Sequence, residues 1–207
     1  MIKIDNNIKK ILKESYEKNA RLRDRKDIIT WKIKELDKFL YYAKKEDKHS
    51  LIDIGSGAGQ YGKYLKDHGL EVTCVDLSEE MIRACKEKGL DSYVMDFYNL
   101  NFDEEKFDLA WSLNTLLHVT KSSFEDVLKN IKRILKPKGL FYLGVYGGRD
   151  SEGIWEEDFY MPKRFFSFYE DNKIKDIVKK HFELVNFDVI DLGSSDLHFQ
   201  SILLKKQ

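Results

Sequence analysis

The run Leu51-Ile52-Asp53-Ile54-Gly55-Ser56-Gly57-Ala58-Gly59 constrains this chain more than any other segment. Apolar residues interrupted by one acid lead into glycines at alternate positions, and a helical pattern follows with Tyr61, Tyr64 and Leu65 to one side. Such a strand–turn–helix junction brings bare backbone close to a ligand, because glycine has no Cβ to hold the ligand off.

From Ser50 onward, strand and helix patterns alternate. Leu51–Ile54 reads as a strand and Gln60–His68 as a helix ended near Gly69. Val72–Val75 is a strand ending at Asp76, and Ser78 caps a helix through Lys88 that Gly89 closes. Ser92–Met95 is a short strand ending at Asp96, and Phe107–Leu113 is a fourth. Ser122 or Ser123 caps a helix to Leu135, which Lys136-Pro137-Lys138-Gly139 stops before a buried strand over Leu140–Tyr146. This alternation predicts a parallel sheet with helices on both faces. In the tail, Asp171 caps a helix to about His181. Phe182–Leu192 and Leu197–Lys205 then flank Gly193-Ser194-Ser195-Asp196, and a turn so short makes them an antiparallel pair.

The first fifty residues read as helical. Ile8, Ile11, Leu12 and Ser15 share one face, and Ile29, Ile33, Leu36, Phe39, Leu40 and Ala43 share another. The basic run Arg21-Leu22-Arg23-Asp24-Arg25-Lys26 between them reads as a solvated connection, with contact to an anionic ligand as the alternative. The organisation expected is therefore a helical cap over 1–48 and a ligand-binding domain over 49–207. A long aromatic and acidic segment over about 147–170 reads as a lid, since structureless connections beyond about 12–15 residues are uncommon unless functional.

Bulk composition narrows the function classes. Hydrophobic residues make up 42% of the 207 residues and aromatics 13%, enough for a real core. Lys plus Arg equals Asp plus Glu at 36 each, so no global field favours nucleic acid or an anionic membrane. Cys74 and Cys85 read as buried apolar residues in a reducing, cytoplasmic setting. No apolar run is long enough to span a bilayer, and the histidines lack metal-ligand spacing, so neither a membrane partner nor a metal is expected. A monomer or homodimer is expected.

Ligands of such sheets sit beyond the carboxyl ends of the strands, where Asp53, Asp76 and Asp96 lie. Asp76, 21 positions after Gly55, is placed to accept from both hydroxyls of a ribose. Gly57-Ala58-Gly59-Gln60-Tyr61-Gly62 spells the G-x-G-x-x-G of dinucleotide sites, but a carboxylate at Asp53 would repel a pyrophosphate and welcome a sulfonium with its amino group.

These segments together resemble the class I S-adenosylmethionine-dependent methyltransferases. The acid, apolar residue and Gly-x-Gly-x-Gly of the family's first motif correspond to Asp53 through Gly59, and the acid ending its second strand to Asp76. Ser78-Glu79-Glu80-Met81 resembles the opening of its next helix, and Asp96-Phe97 its third motif. Phe107-Asp108-Leu109-Ala110-Trp111-Ser112 resembles the fourth strand, and Leu135-Lys136-Pro137-Lys138-Gly139-Leu140 the step into the fifth. The resemblance spans roughly 50–205. It implies a three-layer α-β-α, Rossmann-like α/β fold, with a seven-stranded mostly parallel sheet and an antiparallel C-terminal hairpin, here joined to an N-terminal helical cap.

The resemblance further implies binding of S-adenosyl-L-methionine, with S-adenosyl-L-homocysteine as product. The implied cofactor residues are Asp53, Gly55, Ser56, Gly57, Gly59, Asp76, Leu77, Met81, Asp96, Phe97 and Ser112. One departure is the short stretch between Asp96 and Phe107, which lacks room for the usual helix and implies a more open adenine edge.

On the acceptor side, His118 is the candidate base, its rival reading being a histidine that makes structural hydrogen bonds. Tyr16, Trp31, Asn114, Tyr146 and Trp155 are the candidate substrate-binding residues. Glu152, Glu156, Glu157 and Asp158 read as a solvated face, with a cationic or amine acceptor as the alternative. The function expected is methyl transfer to a small molecule. The alternatives are methyl transfer to RNA or tRNA, an NAD(P)-dependent oxidoreductase using Tyr169 and Lys173 as a Y-x-x-x-K pair, and a non-catalytic binder of the same cofactor. Nucleic acid is disfavoured by the zero net charge.

Overall fold

A computed structural model describes residues 6–24, 27–193 and 197–207. Arg25 and Lys26 of the basic run, and Ser194–Asp196 of the expected hairpin turn, lie outside the described residues. In chain order the elements are α1 (Asn6–Asp24), α2 (Thr30–Lys45), β1 (Ser50–Ile54), α3 (Gln60–Asp67), β2 (Glu71–Asp76), α4 (Glu79–Glu87), β3 (Asp91–Val94) and β4 (Phe107–Leu113). A short 3-10 turn (Leu116–His118) leads to α5 (Lys121–Ile134), β5 (Leu135–Gly147), β6 (Ser151–Ile154), β7 (Phe165–Phe168), α6 (Asp171–Lys179), β8 (Glu183–Ile190) and β9 (His198–Lys205).

The main sheet has seven strands in the order β3-β2-β1-β4-β5-β9-β8. The β1–β5 neighbours are parallel, while β9 runs antiparallel to both β5 and β8. Alternation along each strand sorts side chains onto two faces. Leu51, Trp111, Tyr142 and Phe199 go to one face, Ile52, Ala110, Phe141 and Ile202 to the other. Leu36 and Phe39 of α2, Leu65 of α3 and Cys85 of α4 cover the first face. Val127 and Ile131 of α5 and Ile174 and Val178 of α6 cover the second. The result is three layers, α-β-α.

Several expected boundaries shift for identifiable reasons. The step at Lys136–Gly139 belongs to β5 rather than breaking the chain before it. Leu135 pairs with Phe107, and Lys138, at φ 61°, donates its N–H to the Lys206 carbonyl at 3.0 Å. Thr120, not Ser122 or Ser123, precedes α5, because Ser123 is turned into the core. Glu170 precedes α6, and Asp171 is its first residue. Within 147–170, the aromatic run pairs as the β6–β7 hairpin, since Phe165, Phe166 and Phe168 are all buried.

The helices before β1 divide. Leu36, Phe39 and Ala43 of α2 are fully buried against the sheet, and the Phe39 ring lies 5.2 Å from that of Trp111. In α2, buried Glu35 also accepts hydrogen bonds from Tyr142 Oη at 3.0 Å and from Ser201 Oγ. Helix α2 is thus packed into the helical layer, while α1 lies over the strand ends. Phe39→Ala is expected to lower the unfolding free energy by about 3–5 kcal/mol, the cost of emptying a large core site. Urea denaturation checks this, and a change within about 0.5 kcal/mol, the surface range, would place α2 outside the core.

Candidate functional site

The glycine turn after β1 is held by its neighbours. Gly55 and Ser56 donate their N–H groups to the Val75 carbonyl at 2.8 and 3.1 Å. Gly55 has φ +71°, and a Cβ there would sit 2.1 Å from Thr115 Cγ2, so only glycine fits. Gly57 has φ +55° and faces open space, with Arg23 Nη2 3.9 Å from where a Cβ would stand. Its N–H donates to Asp76 Oδ2 at 2.9 Å, while the Ser78 N–H donates to Asp76 Oδ1 at 2.9 Å. Burial raises the pKa of Asp76, against the pull of these N–H groups and of Arg23.

A cavity opens above this turn, with Gly55, Ser56, Gly57, Asp76, Leu77 and Phe97 along its floor. Helix α1 roofs it through Leu12, Lys13 and Tyr16. The roof is pinned by Lys13 to Glu79 at 3.2 Å, Lys9 to Asp96 at 2.5 Å, Lys88 to Asp24, and Gln60 Nε2 donating to the Arg23 carbonyl at 2.7 Å. The stretch between Asp96 and Phe107 holds no helix, and α1 reaches its start through Lys9 to Asp96. A second cavity of about 440 Å³ adjoins the first and is walled by Tyr146, Trp155, Tyr160, Arg164 and Phe166. Tyr16, Arg23, Gln60, Tyr61, Asn114 and His118 line both.

At that shared wall lies a chain of hydrogen bonds. His118 Nδ1 is 2.6 Å from the Phe165 carbonyl, which can only accept, so Nδ1 carries the proton. Nε2 is then the acceptor for the Tyr16 hydroxyl at 2.6 Å. Arg164 Nη1 donates to the same hydroxyl oxygen at 3.0 Å. Arg164 is fixed in turn by Asp158, through Nε and Nη2 at 2.8 Å each. Burial pushes the His118 pKa down to about 3, and the Arg164 and Arg23 charges add to the effect. Burial raises the Tyr16 phenol, opposed by the same two arginines.

Asn114 sits just beyond β4 with φ 57°, its N–H donating to the Gly144 carbonyl at 2.7 Å. Its Oδ1 is buried on the shared wall with no partner among the described residues.

Other expected residues lie elsewhere. Asp53 is buried on the α3 side of β1, because alternation sends it away from the cavity; Gly62 Cα lies on the same side, where an added Cβ would meet its Oδ2 at 3.3 Å. Burial, followed by the nearby Cys85 and Asp76, raises its pKa well above the usual range. Ser112 is buried in the sheet, and Gly59 packs on Cys85 and Leu90. Met81 is buried with Ala20 and Ala58 beneath α1. Asp96 lies in a small recess beside Leu77 and Phe97. Trp31 packs on Phe199 at 4.7 Å between ring centroids. Cys74 and Cys85 are both free and buried.

Tyr169 and Lys173 point away from both cavities, Tyr169 against Phe124 and Lys173 to Asp150 at 2.6 Å. Among the described residues no metal-binding cluster and no helix long and apolar enough to cross a membrane is found.

Residues that the sequence did not single out as a site include Gln60, Tyr61, Thr115, Tyr160 and Arg164. Gln60 and Tyr61 follow the glycines directly, which is a usable signal. Tyr160 and Arg164 arrive through the fold of the lid and carry none.

A family model described as a methyltransferase domain matches residues 52–143. Malonyl-acyl-carrier-protein O-methyltransferase of Pseudescherichia vulneris is 32% identical over 129 residues, covering 61% of this chain and 47% of that protein. The ubiquinone/menaquinone biosynthesis C-methyltransferase UbiE of Rickettsia bellii is 29% identical over 178 residues, covering 76% and 66%. The chain thus spans about half to two-thirds of the length of these relatives. The fold is similar to that of the Burkholderia thailandensis 1,6-didemethyltoxoflavin-N1-methyltransferase, solved with 1,6-didemethyltoxoflavin and S-adenosylhomocysteine. There the TM-score is 0.76 at 17% identity, over all of this chain and 92% of that one.

The histidine's low pKa has a thermodynamic consequence. Between about 6.5 and about 3 the unfolded chain takes up a proton at His118 that the folded chain refuses. Stability contributed above pH 6.5 is therefore lost as the pH falls through that window. His118→Gln is expected to show a shallower loss than the wild type when urea midpoints at neutral and mildly acid pH are compared. Equal losses would contradict the buried neutral imidazole.

Proposed function

We propose that the chain, whose residues 52–143 match a methyltransferase domain, is a class I S-adenosylmethionine-dependent methyltransferase that binds S-adenosylmethionine above the glycine turn and methylates a small molecule in the adjoining cavity. The observation that carries this is the meeting of the two cavities at Tyr16, Asn114 and His118. A donor on one side of that wall faces an acceptor on the other.

The residues present suit the cofactor. Gly57 presents backbone with open space above it, and Asp76 presents a carboxylate whose oxygens, each already accepting one N–H, keep lone pairs for ribose hydroxyls. Leu77 and Phe97 would flank the adenine, and Asp96, in the recess beside them and paired with Lys9, would serve its amino group. Asp53 acts from behind, as a buried acceptor for the Gly62 N–H at the start of α3. When bound, the cofactor supplies a methyl group already activated by a sulfonium.

What remains for the protein is alignment and exclusion of water, the term that contributes about 7–11 kcal/mol in the most favourable cases. Asn114 Oδ1, buried and unpartnered among the described residues, accepts a hydrogen bond from the acceptor. His118, held neutral, is a positioning residue for Tyr16 rather than a strong base. The known acceptors of the relatives are methylated on O, C or N, so the family leaves the acceptor atom of this chain open.

Titration calorimetry with S-adenosylhomocysteine tests the reading. The wild type is expected to bind, and Asp76→Ala to lose about 1.5–3 kcal/mol of affinity, the range for hydrogen bonds to a charged group. Binding of NAD(H) with none of S-adenosylhomocysteine would overturn it. Tyr16→Phe and His118→Gln are both expected to lower turnover while leaving S-adenosylhomocysteine affinity in place. A wild-type pH–rate profile with a limb near the ordinary histidine value that His118→Gln removes would make His118 a base instead.

A further inference from the structure

The acceptor cavity has a charge pattern that the sequence does not announce. Arg23, Lys32 and Arg164 all line it, against a single lining carboxylate, exposed Asp27. Three acids of the lid are engaged elsewhere. Glu152 accepts from the Lys121 N–H at 2.8 Å and from Ser167 Oγ, Glu156 pairs with Lys163, and Asp158 is spent on Arg164.

Arg23 differs from Arg164. Its guanidinium is partly buried, Nη1 reaches Tyr160 Oη at 3.4 Å, and the group lies over the Tyr16 ring at 5.2 Å. Among the described residues no carboxylate pairs with it. Lys32 Nζ stands on the same cavity, 3.1 Å from Tyr61 Oη. Asp76 acts on this guanidinium only from a distance, so its planar fork, which matches an oxyanion, has no carboxylate in contact among the described residues.

We propose, resting on the methyltransferase reading above, that the acceptor carries an oxyanion, a carboxylate or a phosphate, received by Arg23 with Tyr160 and Lys32 around it. The rival partner for Arg23 is the carboxylate of the cofactor, since Arg23 also borders the first cavity. Its hydrogen-bond partner Tyr160 and the other two cations line only the second cavity, which favours the acceptor.

The test uses the full chain saturated with S-adenosylhomocysteine and four probes of one scaffold: benzoate, phenyl phosphate, benzyl alcohol and benzylamine. Calorimetry is expected to show at least one anion bound about tenfold or more tighter than the alcohol and the amine. Whether benzoate or phenyl phosphate is preferred names the oxyanion. Arg23→Gln is expected to abolish the preference and Arg23→Lys to keep part of it, with thermal melting confirming that both fold. Absence of an anion preference overturns the proposal, as does a preference that Arg23→Gln leaves intact. So does a loss of S-adenosylhomocysteine affinity in Arg23→Gln without a matching loss for 5′-methylthioadenosine, which would give Arg23 to the cofactor. Failure of the wild type to bind S-adenosylhomocysteine at all strikes the methyltransferase reading instead.

Discussion

The Asp76 carboxylate is the joint on which the site depends. It accepts the Gly57 N–H from the turn after β1 and the Ser78 N–H from the turn after β2. Parallel pairing sets those strand ends side by side, with Asp53 opposite Cys74 and Ile54 opposite Val75. The bend at Gly57 then needs no side chain of its own to stay put. Burial works against charge on Asp76, and the two N–H groups and Arg23 work for it, yet the pKa still lies above the ordinary value. A ligand that donates further hydrogen bonds to this group would favour its charged form.

The roof over that joint is held differently. Most ties of α1 are ion pairs between partly exposed side chains, such as Lys13 with Glu79 and Lys9 with Asp96, and each such pair contributes little in water. The firmer attachments are the packing of Ala20 with Met81 and Ala58, and the Tyr16–His118 hydrogen bond backed by Arg164 and Asp158. The position of α1 and the geometry of the shared wall are thus set by the same contacts. Helix α2 belongs to the scaffold, through Leu36 and Phe39, although it adjoins α1 in the chain.

Much of the fold was legible because its signals are local. Strand alternation, the Ser78 cap, whose Oγ accepts the Met81 N–H at 3.4 Å, and the glycine spacing need only neighbouring residues to be read. Asp76 and the glycine floor were legible for the same reason. Asp53 misled because its place in the motif says nothing about which face of β1 it occupies. Strand parity puts it behind the turn, where burial favours its neutral form, and the carboxylate beside the bend is Asp76. Trp31 misled in a similar way, since helical spacing shows a face but not the strand that face packs on.

The sequence by itself determined the sheet, the glycine turn and the acid at the end of β2, because each follows from short-range backbone preference and from which side chains can leave water. Tertiary structure alone decided that Tyr16 meets His118 across 102 positions, that Arg164 reaches Tyr16 across 148, and that Glu152 takes the Lys121 N–H across 31. Those pairings depend on where α1 and the β6–β7 hairpin come to rest over the sheet. Their charges and hydrogen bonds acquire a partner only when packing brings distant segments within about 3 Å, a distance that no local pattern encodes.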